Sequence, residues 1–414
     1  MYSYIDPGTG SMLLSLFIGI AAAAVFGIRA LIIKLQFIFS GGKANSKLDS
    51  KNIPYVIYSD HKRYWNVFKP ICDEFEKRKI NLVFYTSSPD DPALSKKYNY
   101  VSCSYIGEGN KAFVKLNMLH ADILISTTPG LDVYQWKRSR YVKYYIHIPH
   151  SADDLAAYRM FGLDYYDAVL TSGQNQVDLI KKIEELRPSI KRKDIVTIGS
   201  IPLDNLKEKY ERNNAVLDVK GKIEKQKTVL LAPSWGKSSI LSKYGEKIIN
   251  ALLETSYHII VRPHPQTVVS EKDILDPLKE KFPNIEWNFD NDNFNVLNRA
   301  DIMISDFSGV MLDFIFIFNK PIIYADTSFN TLPYDADWLS EPMWEFKILP
   351  EVGTPLEEKD FSNLKEVIDN TLNSEKLSLG REKVRSECYA NVGKSVINAV
   401  EYILNKEKEL NTIS

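Results

Sequence analysis

Two doubly wound α/β domains facing across a cleft, preceded by one transmembrane helix, are what this sequence predicts. Three observations lead there. From Ile53 onward, short apolar runs alternate with amphipathic stretches of helix length. A stretch rich in Lys, Glu and Asn, Lys207–Lys227, divides these runs into two sets. An uncharged apolar run, Met12–Ile28, precedes both.

The amino-terminal run reads MLLSLFIGIAAAAVFGI, seventeen residues, at the lower limit for a helix that spans a bilayer. It resumes as ALII after Arg29 and as LQFIF after Lys34, two residues placed to snorkel toward an interface. Lys43, Lys47 and Lys51 follow, while the first ten residues hold no Lys or Arg. The positive-inside rule then puts the amino terminus outside and the bulk of the chain in the cytoplasm. A cleaved signal peptide would start with basic residues, which this one does not. A core or interfacial helix is the competing reading of so short a run. Residues 1–48 are assigned to an anchor and its exit through Ser40-Gly41-Gly42.

The first strand set is Tyr55–Ser59, Leu82–Thr86, Ile123–Ser126, Val142–Ile146, Ala168–Thr171 and Val196–Ile198. The second is Val229–Ala232, His258–Val261, Ile285–Trp287, Ile302–Ser305 and Ile322–Tyr324. Trp65–Arg78, Gln174–Leu186 and Lys243–Leu253 are among the helices between them. Alternation of this kind predicts parallel sheets covered on both faces, with ligands beyond the carboxyl ends of the strands. The domains are placed at residues 49–215, on the acceptor side, and 216–414, on the nucleotide-donor side. This is the arrangement of nucleotide-sugar transferases of the GT-B type.

Composition narrows the function. The chain has 414 residues, 44% of them hydrophobic, so it is not a disordered chain. Its formal net charge of −1 argues against a nucleic-acid partner. Three cysteines, Cys72, Cys103 and Cys388, fit inert thiols in a reducing compartment better than a disulfide framework.

Four segments carry the chemistry. In Tyr144–Asp154, His147 and His150 sit three residues apart past a strand end, with Pro149 between them. An imidazole there suits a general base, and His150, further into the loop, is the favoured one. His-x-x-His lacks a third ligand at an obvious spacing, so no metal site is expected. In Leu231–Ser239, Ser234 and Lys237 stand at a strand-to-helix turn suited to phosphate, without the glycine spacing of a P-loop. In Ile260–Pro265, Arg262 and His264 are delivered to a strand end, fit for the charge of a diphosphate. In Ala300–Phe314, Asp306, Ser308 and Gly309 precede an apolar helix whose first N–H groups would face an anion. Asp313, inside that helix, reads as structural.

Taken together and in order, these segments resemble the CDP-glycerol:poly(glycerophosphate) glycerophosphotransferase family, the teichoic acid primases and polymerases. The counterparts are His150-Ser151, Ala232-Pro233-Ser234-Trp235, Arg262-Pro263-His264-Pro265 and Asp306-Phe307-Ser308-Gly309, with Gly199–Asp204 closing the first domain. The resemblance spans roughly residues 120 to 330. Ser151 replaces a glycine of the family pattern, Gly309 a serine and Phe307 a tyrosine.

The resemblance implies a transferase at the cytoplasmic face of a bacterial cell membrane. It would move a phosphoalcohol, glycerol phosphate first of all, from a CDP-activated donor to a hydroxyl of a lipid-linked glycan or polymer, releasing CMP. No cofactor beyond that donor is expected. His150 would act as base, His264 and Arg262 on the diphosphate, and Ser308 and Gly309 on phosphate oxygens. His147, Ser234, Lys237 and Asp306 complete the expected substrate contacts. Two other readings share the fold: a glycosyltransferase using a nucleotide sugar, and a membrane-bound scaffold without turnover.

Overall fold

The computed structural model describes residues 52–412, apart from residues 154, 159–160, 218–225, 291, 307 and 326–341. The run expected to cross the membrane lies outside them. Among the described residues, no helix is long and apolar enough to span a bilayer.

The first sheet holds seven strands: β1 (Ile53–Ser59), β2 (Leu82–Thr86), β3 (Val101–Tyr105), β4 (Ala121–Ser126), β5 (Val142–His147), β6 (Ala168–Thr171) and β7 (Asp194–Thr197). The second holds six: β8 (Thr228–Leu231), β9 (His258–Val261), β10 (Glu286–Trp287), β11 (Ile302–Ser305), β12 (Ile322–Ala325) and β13 (Gly353–Leu356). The strand orders are β3-β2-β1-β4-β5-β6-β7 and β10-β9-β8-β11-β12-β13. Every paired strand runs parallel. Both sheets are therefore doubly wound. Each reverses its strand order once, between β1 and β4 and between β8 and β11, and ligands of such sheets bind at that point.

Burial explains which strands the sequence betrays. β4, β8 and β11 are buried at every residue, because helices cover both faces, and they read as unbroken apolar runs. β3 and β13 were not expected, and both are edge strands. β3 (VSCSY) is mostly exposed, and β13 (GTPL) carries Pro355, which an edge tolerates. The helix Trp65–Lys77 buries Trp65, Phe68, Ile71, Cys72 and Phe75, spaced at three and four residues, against the first sheet. The helix Val310–Phe318 is apolar on nearly all sides and is packed on nearly all sides. It stops at Asn319, whose φ of 48° is the left-handed conformation that ends helices.

The chain does not divide cleanly at residue 215. The helix Ile201–Leu217 runs into the expected linker and packs against both Trp65–Lys77 and Val310–Phe318. The last helix, Ser395–Thr412, returns to the first sheet and buries Ala399, Val400 and Ile403 in its core. A domain of residues 216–414 therefore loses its final helix to the other sheet. Ile53–Ser414 forms one compact unit.

Asp204 holds this return. Its carboxylate accepts from Gly393 N at 2.6 Å, from Ser395 N at 3.0 Å, from the Ser395 hydroxyl and from the Tyr389 hydroxyl. Close backbone approach completes the clasp. A Cβ at Gly173 would lie 2.5 Å from the Cys388 carbonyl carbon, and one at Gly199 (φ 99°) 2.5 Å from the Ala390 oxygen. Asp204→Ala strands several donors at once. It should lower unfolding free energy by about 2–3 kcal/mol, read by urea denaturation. A loss under about 0.5 kcal/mol, the range of ordinary surface changes, would show that the clasp is not needed.

Candidate active site

The carboxyl ends of β1, β4 and β5 gather one set of polar side chains. His147 ends β5 and is fully buried, its ring edge-on to Tyr158 at 5.4 Å and tilted against Tyr166 at 5.0 Å. Neither ring nitrogen has a hydrogen-bond partner among the described residues. Burial, and then the neighbouring His150, pull its pKa down to about 3, so the ring is neutral.

His150 stands past Pro149, in the loop. Its Nδ1 hydrogen-bonds the Tyr158 hydroxyl at 2.9 Å, and the Tyr64 ring meets it edge-on at 5.0 Å. Burial, and then the Arg63 guanidinium, lower its pKa to about 4. His150 is thus an unprotonated imidazole at neutral pH, with Nδ1 engaged by the Tyr158 hydroxyl.

The next three residues cross to the other half. Gln176 donates to the carbonyls of Ser151 at 3.0 Å and Asp153 at 2.8 Å, and Asn175 donates to that of Ala152 at 2.9 Å. Ala152 packs into the second sheet's core with Met311 and Leu312. Asp153 shares a cleft with Ser308, Gly309 and Glu345. Asp153 also adds to the burial that pushes Asp313 up to about 7.

At the second sheet's point of reversal, Ser234 follows β8 while Asp306 and Ser308 follow β11. Asp306 is 2% exposed, and its two oxygens accept from Ser234 N at 2.8 Å and Ile240 N at 2.9 Å. These bonds brace the Ser234–Ile240 loop, a role beyond the substrate contact expected of Asp306 from the sequence. The buried Ser234 hydroxyl has no partner among the described residues. Ser308 and Gly309 open the helix Val310–Phe318, and a Cβ at Gly309 would meet nothing within 4 Å among the described residues.

Arg262 and His264 flank this point at the end of β9. Arg262 donates to Asn288, and its pKa is lowered by burial against the pull of Asp290 and Asp292. His264 caps a short helix by accepting from Gln266 N at 3.1 Å, and burial lowers its pKa while Glu271 opposes. That contact occupies Nδ1. Lys237 is exposed, in the same loop as Ser234.

The structure thus groups Ser234, Asp306, Ser308 and Gly309 at one strand-order reversal, with Arg262 and His264 beside it. It places His147 and His150 on the other sheet. The sequence reading missed Tyr158, which orients His150; it also missed Trp235 as a site residue, 48% exposed and 6.4 Å from the His264 ring. An aromatic in the Ala232–Trp235 segment was the available signal for Trp235. Nothing in the sequence joined Tyr158 to His150. Among the described residues, no three His, Cys, Asp or Glu side chains are grouped to hold a metal.

The two neutral histidines have a consequence for stability. In the unfolded chain they bind protons near the ordinary value of about 6.5; folded, His147 does so only near 3 and His150 near 4. Below pH 6.5 the unfolded state holds more protons, so stability is full above 6.5 and falls as pH drops toward 4. Stability curves between pH 7.5 and 4.5 should show this slope. His147→Phe should flatten it; an unchanged slope in that variant would mean that His147 is not the group responsible.

Comparison with known proteins places these features. Residues 181–336 match the model of the family described as CDP-Glycerol:Poly(glycerophosphate) glycerophosphotransferase. That span holds Ser234, Arg262, His264, Asp306 and Ser308 and leaves the His147–His150 loop outside. The search of curated proteins gave no match. Among solved structures, the wall teichoic acid polymerase TagF is similar with a TM-score of 0.58 at 15% identity, over 93% of this chain and 98% of that one. TagF has also been solved as a histidine-to-asparagine variant with CDPG. The UDP-GlcNAc 2-epimerase of Neisseria meningitidis is similar with a TM-score of 0.54 at 11% identity, over 86% of this chain and 100% of that one. At such identities these structures share the fold, an α/β pair of parallel sheets of the GT-B kind. Over residues 181–336, the span that holds its later ordered motifs, this chain is similar to the CDP-glycerol glycerophosphotransferases.

Proposed function

We propose that this enzyme transfers glycerol phosphate from CDP-glycerol to a hydroxyl of a lipid-linked glycan or polymer at the cytoplasmic face of a bacterial membrane. The observation that carries this reading is a neutral, oriented His150 whose loop crosses to the helix start at Ser308 and Gly309. A base on one sheet and an anion site on the other suit transfer between an acceptor and a diphosphate donor. The family match and the CDPG-soaked TagF support CDP-glycerol as that donor.

The acceptor oxygen attacks the β-phosphorus, and the bond from that phosphorus to the bridging oxygen breaks. CMP leaves with the bonding electron pair. The acceptor proton passes to Nε2 of His150, with Tyr158 holding Nδ1. Arg262 and His264 offset the charge that grows on the departing phosphate, and the N–H groups at the start of Val310–Phe318 hold the oxygens of the phosphoryl group in transfer. Phosphoryl transfer rests on positioning and charge stabilisation, which a rigid pair of sheets supplies.

His150→Ala should lower kcat for CMP release by about 10²–10⁴-fold with donor binding retained. In the wild type, the acid limb of kcat/KM should lie near pH 4, where the free enzyme's His150 titrates. The limb of kcat should lie higher, because the donor's negative charge favours the imidazolium. CMP release by His150→Ala at the wild-type rate would remove His150 from the chemistry.

The membrane part of the reading rests on the run Met12–Ile28 and the basic residues Arg29, Lys34, Lys43, Lys47 and Lys51. Each basic residue near anionic lipid contributes about 1 kcal/mol. Removal of residues 1–48 should release the protein from vesicles, preserve turnover of a soluble acceptor and depress turnover of a lipid-linked one. Persistent binding to vesicles in high salt would show a second hydrophobic surface and end the single-anchor picture.

A further inference from the structure

The first sheet has a strand-order reversal of its own, between β1 and β4, beside the strand whose loop carries His150. The register pairs Tyr58 with Ser126, so that Asp60 and Thr127-Thr128 leave the two strands side by side. Polar atoms at this place are removed from solvent without a hydrogen-bond partner among the described residues: Asp60 Oδ1, Thr127 Oγ1, Thr128 Oγ1 and both nitrogens of His147. Thr127 and His147 are each 0% exposed. One such group costs about 1–3 kcal/mol. Several gathered at one strand-order reversal mark a site completed by a ligand.

Neighbouring contacts tie these groups together. The Tyr166 hydroxyl donates to the Thr128 carbonyl at 2.6 Å, while its ring packs on His147. Tyr158 lies against His147, bonds His150 and also lines an open cleft with Pro129, Gly130, Tyr134 and Phe161. Tyr158 therefore touches His147, His150 and the aromatic-walled cleft at once.

The chemistry of the unpaired atoms selects the ligand. A carboxylate oxygen at Asp60 accepts and repels phosphate. Burial raises the pKa of that carboxyl, offset in part by the Thr128 hydroxyl close beside it and then by Arg63. The two threonine hydroxyls both donate and accept, and the neutral His147 ring offers one donor and one acceptor. A hydroxyl group, donor and acceptor at once, answers this set; an anion does not. We propose that Asp60, Thr127, Thr128 and His147 form the binding pocket for the terminal hydroxyls of the acceptor, a neutral polyol or sugar end, and deliver one of them to His150. This rests on the transferase reading above and adds to it the place and the chemical class of the acceptor.

The test uses the full-length protein in detergent with glycerophosphoglycerol as probe. Calorimetric titration without donor reads the pocket alone, and steady-state kinetics with CDP-glycerol read the reaction. Asp60→Asn should weaken probe binding at least tenfold. It should raise the acceptor KM by a similar factor and leave the KM for CDP-glycerol within twofold. Thr128→Val, nearly isosteric, should weaken binding severalfold and keeps the test open if Asp60→Asn fails to fold. Probe binding by both variants within twofold of wild type would overturn the pocket. So would absence of binding to the wild type, or a parallel rise in the donor KM. Probe binding that the variants lose, in a wild type that releases no CMP from CDP-glycerol, would uphold the pocket and reject the transferase reading instead.

Discussion

The carboxylate of Asp204 is the constraint from which the molecule's unity follows. It sits near the start of the helix that links the two sheets, and it binds the turn through which the chain returns to the first sheet. Without that return, the core beneath β1 and β4 would lose Ala399, Val400 and Ile403. Several donors converge on one carboxylate, and charge-assisted bonds of this kind are stronger than neutral ones. The close passes at Gly173 and Gly199 leave no space for a side chain, so the returning segment has one path.

With the halves joined, the parallel sheets set where chemistry takes place. Helices cover both faces, so functional groups are presented at the carboxyl edges. The same edge geometry gives two unlike environments. In the second half, Asp306 spends its charge on backbone N–H groups, and Arg262 stands past the end of β9, donating to Asn288. In the first half, burial removes charge. His147 and His150 are neutral, and the Asp60 carboxyl is drawn toward protonation. The two edges thus differ in charge, and the proposed transfer between donor and acceptor draws on that difference.

The neutrality of His150 follows from its surroundings rather than from a partner carboxylate. Tyr64 and Tyr158 exclude water from its ring, and Arg63 opposes its protonation. A base with so low a resting pKa accepts a proton only when negative charge arrives nearby. The diphosphate of the donor would bring that charge, so proton transfer would wait for a loaded site.

Much of this was legible in the sequence because local chemistry sufficed. Buried parallel strands announce themselves as apolar runs, and Leu82–Thr86, Ala168–Thr171, His258–Val261 and Ile302–Ser305 fall where their hydropathy places them. The helix Gln174–Leu186 follows from its period. The motif residues Ser234, Arg262, His264 and Ser308 lie past strand ends, as the order of elements implied. The rest depended on which strands become neighbours. β3 and β13 escaped because edge strands need no apolar run. The brace made by Asp306 escaped because its partners are backbone groups more than sixty residues away in sequence. Asp60 meets Thr127 and Thr128 only because β1 pairs with β4 across two intervening strands. Sequence alone determined the class of fold and which motif residues follow strand ends, since both are written in short-range pattern. Tertiary structure alone decided the return of the last helix, the brace at Asp306 and the polar cluster at Asp60, since each is a meeting of distant segments that no local pattern encodes.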